Sequence, residues 1–223
     1  MKARANRAIV RNRLVLPCLM VVFLLLSLAY WWLDNLAHEI FGTALFLLLS
    51  WHIAVNRVWF KNLFRGRYGV ARIITLGLHL FLIANMLVLI VTSIVISKSL
   101  FAFLPIPDSI YLREIHWFSA YWVIIIVGAH VGLHWRRVIG IVRVRVRSPS
   151  FTLAVPAARI AAALMVMFGV WSFSVLGVWT KLTFGYSLDF WDFTASVSPF
   201  FGHWAGVLAL SAVLTHYFLA AFR

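Results

Sequence analysis

Acidic residues are scarce in this chain of 223 residues: six Asp and Glu stand against twenty Lys and Arg. Cysteine is scarcer still. Cys18 is alone, so no internal disulfide can form and no zinc or iron–sulfur centre can be built from several thiolates. No Gly-x-Ser-x-Gly and no phosphate-cradling glycine loop occurs, which removes the nucleophile-elbow hydrolases and the P-loop enzymes. Charge of either sign is low, at 12% of residues, where soluble domains carry about 25%. Apolar residues fill the gap, at 64%, and mean hydropathy is +0.96. That composition belongs to membrane proteins.

A membrane span needs about 20 apolar residues. Six such runs fit, at about 14–33, 36–55, 73–97, 115–135, 156–179 and 200–222. The first follows a basic tail of Lys2, Arg4, Arg7, Arg11 and Arg13 and ends in Tyr30, Trp31 and Trp32. It is too long for a signal-peptide core, and its aromatic end suits a retained span anchored at the interface.

The net charge of +14 raises the question of nucleic acid, but the placement of the charges argues against it. The tail, the segments 56–72 and 136–159, and the C-terminus hold 17 of the 20 basic residues and no acid. The alternate segments hold Lys98, Arg113 and Lys181 with all six acids: Asp34, Glu39, Asp108, Glu114, Asp189 and Asp192. Positive-inside asymmetry explains this pattern for six spans with both termini cytoplasmic. The expectation is therefore an all-α, polytopic bundle of six transmembrane helices forming one membrane domain over 1–223, with the lipid bilayer as its partner and no nucleic acid.

Two segments between spans are distinctive. Arg143, Arg145 and Arg147 alternate with valine before Ser148 and Pro149, and read as an interfacial loop. The segment from Tyr186 to Phe200 sets Phe190, Trp191 and Phe193 beside Asp189 and Asp192. It suits either a short helix on the membrane surface or a docking surface for an external partner.

All eight histidines fall inside the spans or at their ends, where ionisable residues are costly and point to function. His38 and His52 are 14 apart, and so are His116 and His130. Fourteen residues are close to four turns and about 21 Å, so each pair shares one helix face. In the six-span topology the second and fourth spans run the same way. His38 and His116 then share one depth near the outer surface, and His52 and His130 another near the inner surface.

Two stacked bis-histidine haems require this arrangement, each iron taking one imidazole from each helix. No Cys-x-x-Cys-His occurs, so the haems would be non-covalent, of b type. Gly42 and Ala120, each four residues after the outer ligand of its helix, place little bulk beside a macrocycle, and Gly128 and Gly132 flank His130.

Other readings compete. Histidines also bridge membrane helices by hydrogen bonding. The stretch from His38 and Glu39 to Gly42 begins like His-Glu-x-x-His, but has Gly where the second His belongs. His130 and His134, at i and i+4, could chelate a metal, yet no carboxylate lies at that depth. His134 is the alternative to His130 as inner ligand, although it breaks the matched spacing. His79, His203 and His216 are read as helix bridges or supporting residues, with propionate donation and quinone-site proton transfer as alternatives. His203 and His216, 13 apart, could also form a rival ligand ladder.

At these residues the chain resembles a known family. The stretches are His38-Glu39 to Gly42; Trp51-His52 leading to Asn56, Arg57, Trp59, Phe60 and Lys61; and Ile115-His116-Trp117 to His130, His134 and Trp135. They are similar to the flavinylation-associated membrane b-type cytochromes, long known only as a domain of unknown function, over about residues 36–136. The resemblance implies a bacterial inner-membrane cytochrome exchanging electrons with extracytosolic proteins that carry covalent FMN. It supports His38, His52, His116 and His130 as ligand candidates, with His134 also on the motif. His79, His203 and His216 depart from the pattern and leave room for a different ligand set or a quinone pocket.

The sequence thus points to transmembrane electron transfer by a two-haem cytochrome, between a cytoplasmic-side or quinone donor and an extracytosolic acceptor. Its rivals are a non-haem, histidine-dependent transporter or proton channel, and a structural membrane anchor for a redox partner. Oligomeric state is left open.

Overall fold

A computed structural model of the chain describes residues 2–107, 109–146, 155–185 and 190–222, with side chains over 14–107, 109–141, 157–185 and 190–222. The described residues are helical and contain no strand. Five helices are long and apolar enough to cross a membrane: α2 (Tyr30–Val55), α4 (Val70–Val95), α5 (Ile110–Leu133), α7 (Val155–Val175) and α9 (Ser198–Ala220). Shorter pieces complete the order: α3 (Val58–Lys61), α6 (Trp135–Val146) and α8 (Val178–Leu182). The chain opens with α1 (Lys2–Leu28), whose apolar part is Leu14–Leu28. The side chains of the basic tail and of Arg143 and Arg145, and all of Asp108, Arg147, Ser148, Pro149, Tyr186 and Asp189, lie outside the described residues.

The helices form two compact units, one of residues 1–69 and 136–151, the other of 70–135 and 152–223.

In the first unit α1 packs along α2. The expected first run, 14–33, is divided by fully buried Ala29, so Tyr30, Trp31 and Trp32 start α2 instead of ending α1. A kink follows at Asp34 (φ 66°, ψ 174°), a backbone region that side chains seldom adopt. The Asp34 carboxylate accepts the backbone N–H of Asn35 at 2.7 Å, and the Asn35 amide donates to Glu39 at 2.9 Å. This polar knot starts the straight part of α2, in agreement with the expected start near residue 36. Residues Arg143 to Val146 belong to helix α6, where the sequence suggested a loop.

In the second unit α4 and α9 both pack on α5, and α7 packs on α9. Small residues make the α5–α9 and α7–α9 contacts close. A Cβ at Gly128 would strike the Leu208 carbonyl and come within 2.7 Å of Ser211 Cβ; at Gly132 it would strike the Ala212 carbonyl and come within 3.0 Å of Thr215 Cβ. A Cβ at Gly169 would meet Leu210 Cβ at 2.6 Å, and one at Gly206 the Phe168 ring at 2.6 Å. Close backbone approach through glycine is how membrane helices gain van der Waals energy where lipid offers no hydrophobic drive.

Residues 190–197 form turns, not a surface helix. The Asp192 carboxylate accepts from the Thr194 hydroxyl at 2.6 Å and from the Thr194 and Ala195 amides at 2.9 and 3.3 Å. The Trp191 indole donates to the Ser196 carbonyl at 2.7 Å. Trp191 and Phe193 pack against Phe200 of α9, so two of the three aromatics turn back onto the helix, while Phe190 is exposed.

Candidate histidine site

Helix α5 carries three histidines toward α4. His116, His130 and His134 meet Thr92 and His79 of α4, while Gly128 and Gly132 meet α9. Those two glycines therefore serve helix packing, not the clearance beside a macrocycle that the sequence suggested. The α4–α5 interface has three polar levels. Thr92 faces His116, the Asn85 amide donates to the Ser119 carbonyl at 2.9 Å, and His79 faces His130 and His134. Adjacent levels on α4 are six and seven residues apart, about 9–10 Å along the axis. That exceeds the roughly 3 Å reach of a direct hydrogen bond, so each level joins the two helices separately.

The hydroxyl of Thr92 fixes the tautomer of His116. It donates to the Val88 carbonyl at 2.7 Å, so its oxygen is the acceptor for Nδ1–H of His116 at 3.0 Å. The lone pair of His116 is then on Nε2. His38 has the same polarity. Its Nδ1 lies 2.7 Å from the Ser27 carbonyl, which can only accept, and this contact also satisfies a terminal carbonyl of α1. Tyr30 meets the His38 ring edge-on at 5.4 Å. The two residues that open the matched 14-residue pairs thus each have Nδ1 beside an oxygen on the helix before.

His52 is half-buried, and its ring makes no hydrogen bond among the described residues. A Cβ at Gly42 would meet nothing within 4 Å, and Ala120 is half-buried.

His79, His130 and His134 converge, with one ligand atom from each lying within 4.8 Å of the other two. Nδ1 of His79 donates to the Thr75 carbonyl at 2.6 Å, which again leaves the lone pair on Nε2. His79 Nε2 lies 3.5 Å from His134 Nε2.

His203 is buried against α7. Its Nδ1 lies 2.9 Å from the Ser172 hydroxyl, and Phe168, Trp171 and Trp191 surround the ring at centroid distances of 5.8, 4.8 and 5.6 Å. Half-buried His216 meets Trp135 at 6.5 Å. The two residues of the alternative ladder thus have different surroundings, Phe168, Trp171 and Trp191 around His203 and Trp135 beside His216.

Sequence reasoning missed the oxygen partners Ser27, Thr92 and Ser172, as well as the approach of His79 to His130. One signal was present: His79 and Thr92 are 13 apart, one residue fewer than His116 and His130 on the next, oppositely directed helix. Comparison of the chain with protein-family models, curated proteins and solved structures found no match.

Proposed function

We propose that this protein is a bacterial inner-membrane electron carrier holding two b-type haems. The observation that carries the reading is that His38 and His116, which open the two 14-residue pairs, both have Nδ1 within hydrogen-bonding distance of an oxygen, at 2.7 and 3.0 Å. Haem-ligating histidines are oriented in this way, the outer hydrogen bond fixing the tautomer and raising ligand basicity. The donor set fits the group: neutral imidazoles, no thiolate, and glycine or alanine one turn beyond each outer ligand. The candidate ligands are His38, His52, His116 and His130, with His134 the alternative to His130. The bound haem supplies one-electron chemistry, and the protein supplies ligation, orientation and a dry surround.

The charge asymmetry of the connecting segments supports six spans with both ends in the cytoplasm. The family resemblance supports an extracytosolic FMN-carrying protein as electron partner, and the departures at His79, His203 and His216 leave room for a quinone as donor. The alternative, a non-haem histidine-dependent transporter or proton channel, predicts a colourless protein.

The test is the visible spectrum of the purified protein, oxidised and dithionite-reduced, with haem quantified per chain. Two haems per chain are expected, and replacement of His116 removes one of them. A colourless protein, purified from cells supplied with haem, overturns the reading.

A further inference from the structure

We infer that His79, His130 and His134 form a three-imidazole site for a borderline divalent cation, with Zn2+ the ion best suited. The inference goes beyond the haem reading and does not depend on it.

Ring spacing carries the argument. The centroids lie 4.9 Å apart for His79–His130, 4.9 Å for His130–His134 and 5.6 Å for His79–His134. Zinc binds imidazole nitrogen at about 2.0–2.1 Å, which puts a ring centroid about 3.2 Å from the ion. At that radius the three separations subtend angles of about 100°, 100° and 120°, near the tetrahedral value. Two imidazoles on opposite faces of a haem would have centroids about 6.4 Å apart, from the same nitrogen-to-metal distance. The triangle is thus sized for a compact ion and too small for any two of these rings to flank a macrocycle.

The Nε2 atoms of His79 and His134 agree. They are 3.5 Å apart, close to the roughly 3.4 Å edge of a tetrahedral zinc site. His130 completes the set, since one ligand atom from each of the three residues lies within 4.8 Å of the others.

The local sequence makes this possible. His130 and His134 are one turn apart and lie on one face of α5. His79 comes from the facing helix with its tautomer set by the Thr75 carbonyl. Such outer hydrogen bonds orient metal-binding histidines. Three nitrogen ligands leave a fourth position for water, the pattern of zinc sites that keep an open coordination position. His130 is also the inner haem-ligand candidate, so the ion and a haem held by His130 exclude one another on a single chain.

The experiment uses full-length protein carrying no polyhistidine tag, titrated with Zn2+ alone. Bound zinc is measured by elemental analysis, and haem in parallel by spectroscopy. In protein purified from haem-depleted cells one Zn2+ per chain is expected at micromolar free metal, and each haem then bound at His130 should lower that number by one. His79→Gln and His134→Gln should each weaken binding at least tenfold. His116→Gln should leave zinc affinity unchanged whatever it does to haem, so failure of the haem reading and failure of this one are told apart. X-ray absorption on wild-type protein guards against misfolded variants. It should show three or four nitrogen neighbours with imidazole scattering. No stoichiometric binding, wild-type affinity in both variants, or a zinc shell without imidazole would overturn the proposal.

Discussion

Nε2 of His134 sits 3.5 Å from Nε2 of His79 across the α4–α5 interface. With Nδ1–H of His79 given to Thr75, any proton shared between the two Nε2 atoms belongs to His134. A metal ion that enters displaces that proton from Nε2. The pair is thus a bridge between helices without metal and a chelate with it.

The hydroxyl of Thr92 should matter for the electronics of His116 as well as for its position. Thr92→Val keeps the shape and removes the acceptor. Loss of such an outer partner weakens metal binding about 10–100-fold. Haem transfer to an apo-acceptor should be faster in Thr92→Val and restored in Thr92→Ser. The midpoint potential of one haem should shift in Thr92→Val alone. A Val variant with unchanged haem retention and potential would remove the hydroxyl from the ligand's support.

Alanine at Gly128 or Gly132 would push a methyl into the α9 backbone at Leu208 or Ala212. Overpacking of this kind costs about 1–3 kcal/mol. Thermal unfolding in detergent should show the loss in both variants. Gly77→Ala on α4, which meets nothing within 4 Å, should not lower stability. Equal behaviour of all three would mean that α5 and α9 are not in close contact.

At Asp34 the usual helix ranking should invert. The backbone there has φ 66° and ψ 174°, a strain of about 1–3 kcal/mol for a residue other than glycine. Asp34→Gly relieves the strain while losing the bond to Asn35. Asp34→Ala keeps the strain and loses the same bond. Glycine should therefore be more stable than alanine by about 1 kcal/mol or more in equilibrium unfolding. Alanine matching glycine would mean that the backbone at position 34 is not strained.

Asp192 supplies a pH dependence. The Thr194 hydroxyl, then the Thr194 and Ala195 amides, hold its carboxyl below the ordinary aspartate value. A folded value below the unfolded one means that the charged form stabilises the turn. That contribution is complete above the unfolded value of about 3.9 and disappears as pH falls through the depressed one. The amide resonances of Thr194 and Ala195 should titrate with a midpoint below that of an unstructured aspartate. A midpoint at or above it would mean that the carboxylate is not held.

Much of the fold could be read from hydropathy, because an 18- to 25-residue apolar run in this composition has few alternatives to a helix. The runs at 73–97, 115–135 and 200–222 coincide with α4, α5 and α9 to within a few residues. The break at Ala29 was not legible. Ala, Tyr and Trp carry no turn signal, and the backbone reversal depends on tertiary packing of α1 on α2. Equally, Arg143 to Val146 read as a loop because period-two charge imitates a strand or coil, yet the residues continue α6. The histidine faces were legible from spacing on one helix. What each face meets was not, since Thr92 and Ser27 are ordinary residues until a neighbouring helix sets them against an imidazole.

The two glycines of α5 also settle which neighbour can yield. Helix α9 lies so near Gly128 and Gly132 that α5 has almost no freedom to roll or shift toward it. On the opposite side its contacts with α4 run through rotatable side chains. An ion that enters between His79, His130 and His134 is therefore accommodated by movement of α4. The α5–α9 pair would act as a rigid spine, and loading should register as slowed amide exchange along α4 while α9 stays as protected as before.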